Sequence, residues 1–124
     1  RTEEDRLSLI DGLLSNVIDA IATDHAPHPE NTKTVDFKSA ARGVVGLESA
    51  FPMLYSSGIL SLEEIKRFMI ENPRKILSEA GYEVKKSQIN TWQPCDKEFT
   101  TKSKFNNSIF EKRNTKIERV SQNV

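Results

Sequence analysis

An apolar run, Ile18-Asp19-Ala20-Ile21-Ala22-Thr23, stops on Asp24-His25-Ala26-Pro27-His28 and so delivers a carboxylate and two imidazoles within a few residues. A carboxylate beside an activated water can take a proton and return it to a leaving group. An imidazole can ligate a metal, relay a proton or hydrogen-bond an anion. A short buried strand with ionisable residues at its C-terminal end is how parallel α/β proteins, (β/α)₈ barrels above all, place catalytic groups at the mouth of the fold. Asp24 stands at such an end. The same residues also read as a polar loop in which Asp24 caps a turn and Pro27 stiffens it. His25 and His28 are three apart, but Pro27 between them argues against a helical pair of metal ligands.

The neighbouring elements must hold that run in place. Thr2-Glu3-Glu4-Asp5 reads as an N-cap followed by an acidic first turn, and Leu7, Ile10 and Leu14 then share one face, so the first element is an amphipathic helix. Val17 to Ala22 is nearly all apolar, the pattern of a strand buried on both sides in a parallel sheet. His28 to Lys38 is polar and contains proline, as expected of a long loop, while Gly43 and Gly46 allow a tight turn before a helix over Leu47 to Tyr55. Pro52 is tolerable there only near the first turn. Ser61-Leu62-Glu63-Glu64 is a capping box opening a helix to about Ile70. Asn72-Pro73 then supplies an N-cap and an N1 proline for a short helix ending before Gly81. Beyond Gly81 the apolar pieces are short and alternating: Tyr82 to Val84, Ile89 to Trp92, Phe99, Phe105, Phe110 and Ile117 to Val120, which read as strands.

Ala22-Thr23-Asp24-His25-Ala26-Pro27-His28, followed about fifteen residues later by Gly43-Val44-Val45-Gly46-Leu47-Glu48, resembles the signature near the C-terminal end of dihydroorotases, zinc enzymes of the amidohydrolase superfamily. The resemblance runs over roughly residues 1 to 80. Arg1 resembles the last residue of that family's Asn-Pro-Pro-Leu-Arg segment. Related hydantoinases and allantoinases tend to carry a Ser-Asp-His start and a different Gly-Leu sequel, so Ala22-Thr23 and Gly46-Leu47-Glu48 favour dihydroorotase. Two departures stand out. Thr32-Lys33 occurs where the family usually has Glu-Lys, and Ala40-Ala41-Arg42-Gly43 replaces Ala-Pro-Phe-Gly, whose Phe-Gly pair lies against substrate.

The resemblance implies reversible hydrolysis of dihydroorotate to N-carbamoyl-aspartate, in the synthesis of pyrimidines. It implies Asp24 as both a zinc ligand and the carboxylate that moves the proton, and His28 as a partner for the substrate carboxylate. Arg42 and Gly43 fall at the substrate-contact position. Arg42 has two readings: a charge-assisted bond to a dianionic substrate, or a surface residue in a drifted copy. His25 receives a structural role, and Glu48 caps or pairs near a helix start. The other ligands of the zinc pair, a His-X-His pair, a carboxylated lysine and two further histidines, have no counterpart in these 124 residues, which contain only two histidines.

A (β/α)₈ barrel needs about 250 residues, so the chain reads as an α/β C-terminal fragment of such a barrel. Residues 1–81 would supply its last strand, loop and helices, and residues 82–124 a remnant of the small β-rich domain that family members place after the barrel. Taken alone, this chain is expected to be inactive. Lys and Arg balance Asp and Glu at 18 each, which gives no global electrostatic case for nucleic acid or anionic membrane. The balance is uneven, with 9 basic against 14 acidic residues up to position 84 and 9 against 4 after it. The single cysteine, Cys95, suggests a reducing compartment, and no apolar run approaches the ~20 residues that span a bilayer. A cytoplasmic protein is expected. Its partners would be a small-molecule substrate and either a second copy or aspartate transcarbamoylase. The alternatives are an inactive dihydroorotase-like protein kept for assembly and a hydantoinase or allantoinase relative.

Overall fold

In a computed structural model the described residues are 2–84, 90–101, 108–110 and 112–120. Arg1, Ile89 and Phe105, named above, lie outside them. The chain divides into two compact units, Arg1–Ala22 with Ser61–Ser87 and Thr23–Leu60 with Gln88–Val124. The elements are mixed helix and strand, and among the described residues no helix is long and apolar enough to cross a membrane.

The first unit opens with α1 (Glu3–Leu14), set by a reciprocal capping box: the Asp5 amide donates to Thr2 Oγ1 and the Thr2 amide to Asp5 Oδ2. Glu3, Glu4 and Asp5 add negative charge where the helix dipole is positive. The buried residue of α1 is Leu13, whereas Leu7 and Leu14 are exposed. The expected stripe is displaced because the chain reverses at Asn16 (φ 60°) and folds back onto the end of the helix. The amides of Val17 and Ile18 both donate to the Gly12 carbonyl, and a Cβ at Gly12 would stand 3.0 Å from the Ile18 side chain.

Val17 to Ala22 is not a strand, contrary to the sequence expectation. A strand exists through its ladder, and the polar groups of this run pair with helical residues instead. The Ile21 amide donates to the Phe68 carbonyl at 3.0 Å and the Asn72 side-chain amide donates to the Asp19 carbonyl at 2.7 Å. Val17 is 78% exposed.

Those partners belong to a helical run made of α4 (Leu62–Lys66), a π-turn (Arg67–Glu71) and α5 (Asn72–Glu79). Ser61 and Glu64 form the expected capping box, and the Ser61 amide and hydroxyl hold the Glu64 carboxyl below its usual value. Ile65 and Phe68 are buried. Asn72 is helical (φ −62°, ψ −46°) and not an N-cap, so the expected break at Asn72-Pro73 does not occur. Proline lacks an amide hydrogen and its ring crowds the carbonyl four residues back. The wider π-turn just before it re-spaces the backbone and lets the helix continue. The run ends as the sequence predicts: Gly81 takes φ 85°, its amide donates to the Ser78 carbonyl, and the Tyr82 amide donates to the Leu77 carbonyl, a Schellman closure.

The second unit carries α2 (Glu30–Lys33), α3 (Ala50–Ser57) and an antiparallel pair, β1 (Trp92–Glu98) and β2 (Asn114–Arg119). Pro52 falls in the first turn of α3, the position where a missing amide hydrogen costs least. The β2 side chains alternate, with Thr115 and Ile117 buried and Asn114 and Lys116 exposed. The α3 helix packs on that strand: the Lys116 amide donates to Ser56 Oγ at 2.8 Å, Ser56 Oγ and Thr115 Oγ1 are 3.3 Å apart, and the Phe51 ring lies 4.7 Å from that of Trp92. Phe99 is buried just beyond β1. Tyr82 to Val84 and Phe110 do not belong to strands. The ladder of β1 and β2 breaks register between Pro94 and Lys97, as a bulge accommodates the proline.

Candidate active site

Asp24 sits at the turn from the extended run into the loop. Its φ of 45° lies in the left-handed region, which Asp tolerates better than most residues. It is exposed, and among the described residues no hydrogen bond or ion pair engages its carboxylate. The residues on its C-terminal side are firmly tied. His25 Nδ1 accepts from the amides of Gly46 (3.2 Å) and Leu47 (3.1 Å), a single parallel bridge joins His25 to Val44, and the Ala26 amide donates to the Val44 carbonyl. With Nδ1 accepting, the ring hydrogen of a neutral His25 lies on Nε2. This imidazole anchors the 23–26 segment to the 44–47 segment.

Two glycines make that approach possible. A Cβ at Gly43, whose φ is 99°, would fall 2.5 Å from the Ala26 Cβ, and one at Gly46 would fall 2.9 Å from the Thr23 carbonyl oxygen. The spacing Gly43-x-x-Gly46 is therefore required for two extended segments to lie this close.

His28 and Arg42, both predicted to contact substrate, are brought together. His28 Nε2 lies 2.7 Å from the Arg42 carbonyl oxygen and donates to it, and among the described residues no hydrogen bond engages Nδ1, which can donate to an anion only in the doubly protonated ring. The Arg42 side chain is exposed. Lys33, which matches the lysine of the family's Glu-Lys pair although Thr32 departs from it, was given no role in the sequence reading. It is half-buried, and its ammonium donates to the carbonyls of Ala41 (2.6 Å) and Gly43 (2.7 Å). The signal that could have found it is its match to the lysine of that pair, since its partners are backbone atoms of a later loop that composition does not reveal. Glu48 accepts from Thr101 Oγ1 at 3.2 Å, so it pairs within the second unit.

Among the described residues no three His, Cys, Asp or Glu side chains cluster to hold a metal ion. His25 Nδ1 and His28 Nε2 are already hydrogen-bonded to backbone. The open donors are the Asp24 carboxylate and His28 Nδ1, short of the four ligands that zinc takes. Asp24 fits as one ligand of a zinc site and does not make a site alone.

No family model matches the chain. Among curated proteins it is 38% identical over 128 residues to a dihydroorotase of Ehrlichia canis, covering 94% of this chain and 28% of that protein. It is 49% identical over 77 residues to a dihydroorotase of Bacillus subtilis (59% of this chain, 18% of that protein) and 48% over 80 residues to one of Wolbachia from Brugia malayi (62% and 18%). The chain thus spans less than a third of the length of the relatives it matches. A match over 94% of the chain also takes in most of the residues after Gly81, beyond the stretch in which the sequence resemblance was read.

Proposed function

The chain is homologous to dihydroorotases over most of its length, and from that premise we propose that it forms the C-terminal part of a dihydroorotase-type cyclic amide hydrolase. The observation that carries this reading is the tied loop around Asp24: a carboxylate without a partner among the described residues, held at the end of an apolar run by His25, Gly43 and Gly46.

In this reading Val17 to Ala22 is the last strand of a (β/α)₈ barrel, and its ladder partners belong to the remainder of a protein of the relatives' length. Asp24 takes a proton from the attacking water and returns it to the ring nitrogen as the amide C–N bond of dihydroorotate opens. The opposite sequence of transfers closes N-carbamoyl-aspartate. A zinc pair, held by ligands outside these residues together with Asp24, would supply Lewis-acid polarisation and a more acidic water. His28 receives the substrate carboxylate through Nδ1, since Nε2 is committed to the Arg42 carbonyl. The exposed guanidinium of Arg42 can pair with the same dianionic substrate, and Gly43 lets the backbone approach it closely.

The test is dihydroorotate ring opening by the complete protein that carries this sequence, followed by the loss of substrate absorbance or by product colorimetry, with Asp24→Asn alongside. Removal of a general acid–base group lowers turnover by about 10²–10⁴-fold. Undiminished turnover in Asp24→Asn would remove the assignment, and a wild-type protein without turnover would point to a dihydroorotase-like protein that has lost its activity.

A further inference from the structure

Three consecutive carbonyls, those of Ala41, Arg42 and Gly43, are each engaged by a side chain from the segment that follows Pro27. His28 takes the middle one, and Lys33 takes the two that flank it. The Ala41 amide also donates to the Thr32 carbonyl at 2.9 Å, so the two segments are bonded in both directions. A lysine ammonium offers three hydrogens and no acceptor, and here two of them converge on carbonyls two residues apart. The carbonyl dipoles of residues 41 and 43 therefore point to one place, an arrangement that only a cation or a pair of donors stabilises.

We propose that Lys33 is a positioning residue for ligand recognition: it clamps residues 41–43 so that the His28 ring and the Arg42 backbone and side chain hold the geometry that receives a carboxylate ligand. The proposal rests on the reading of this loop as the substrate loop of a cyclic amide hydrolase. It adds a residue that touches no substrate and acts through the backbone. Without the ammonium the flanking carbonyls lose their donors, and residues 41–43 no longer keep Arg42 at the end of the His28 hydrogen bond. A ligand that needs His28 and Arg42 together must then order the loop itself, which lowers its affinity.

The experiment is an NMR titration of the complete protein that carries this sequence with N-carbamoyl-L-aspartate, following the amide signals of Arg42 and Gly43 and the carbonyl ¹³C signals of Ala41 and Gly43, in wild type, Lys33→Met and Lys33→Arg. In the wild type the two amides shift saturably. Lys33→Met moves both carbonyl signals and weakens binding by about tenfold or more, as expected of a lost ordering interaction. Lys33→Arg, whose guanidinium can reach both carbonyls, restores most of the affinity. The methyl signals of Ile117, buried in the same compact unit as Lys33, confirm that each variant is folded. Unchanged affinity in a folded Lys33→Met, or equal weakening in Lys33→Met and Lys33→Arg, overturns the proposal while leaving the substrate-loop reading intact. A complete wild-type protein whose Arg42 and Gly43 amides do not respond overturns that reading, and the proposal falls with it.

Discussion

Val17 to Ala22 and Asn114 to Arg119 exchange the roles that their compositions suggest. The first is nearly all apolar, yet it forms no strand and its leading valine is 78% exposed. The second, Asn-Thr-Lys-Ile-Glu-Arg, is mostly polar, yet it is a strand with two buried side chains. The difference lies in the partners. β2 has β1 along its length and α3 across its face, whereas Val17 to Ala22 meets helical residues through an amide at Ile21 and a carbonyl at Asp19. Apolar composition prepares a segment for burial, and only a neighbouring strand turns it into sheet. In dihydroorotase homologues more than three times as long as this chain, such a neighbour has ample sequence to come from.

Three substitutions sharpen this contrast. The largest effect on folding is expected at Ile117→Ala, which empties a buried position of β2 and costs about 2–4 kcal/mol; urea unfolding of the chain measures it, and a loss below half of that would mean that β2 is not packed. Gly43→Ala comes next. A methyl group at φ 99° and 2.5 Å from the Ala26 Cβ is expected to cost about 1–3 kcal/mol and to separate the 23–26 and 43–47 segments, visible as faster exchange of the Gly46 and Leu47 amides. The smallest effect is expected at Val17→Ser, within about 0.5 kcal/mol in this chain because the residue is exposed. In the complete protein the same change is expected to destabilise clearly, since there the segment would be buried. Equal cost in both settings would contradict the reading of Val17 to Ala22 as a strand without its neighbours.

Acidification acts on the start of α4. The Glu64 carboxyl is held low by the Ser61 amide and hydroxyl, so the stabilisation of the capping box is present above the ordinary carboxylate value and is lost as pH falls through the lowered one. Circular dichroism across roughly the carboxylate range, about pH 6 to pH 2, is expected to show the α4 start weakening on the acid side. In Glu64→Gln that step should be absent.

Local signals were legible wherever the physics is local. The capping residues Thr2 and Ser61, the Gly81 closure and the place of Pro52 all follow from side chains meeting backbone within a few residues. The break expected at Asn72-Pro73 failed because a π-turn, which leaves no mark in composition, absorbed the proline. The fate of Val17 to Ala22 was not legible because a strand needs a ladder partner, which composition does not supply, and among the described residues the run meets Phe68 and Asn72 instead. At the candidate site, Asp24 is marked in the sequence by its place at the end of the apolar run, and His28, Arg42 and Gly43 by resemblance to a family motif. His25 was assigned only a structural role, and its double bond to the Gly46 and Leu47 amides, like the Lys33 clamp, depends on a fold that joins residues far apart in sequence.

The account rests on Asp24 belonging to a zinc site completed by residues outside this sequence, and the most direct measurement is the nucleotide sequence upstream of the Arg1 codon, read in frame. The account predicts Asn-Pro-Pro-Leu immediately before Arg1 and, earlier, a His-X-His pair, a lysine and two further histidines. A stop codon or an unrelated domain in that position would contradict it and leave Asp24 without a metal to serve.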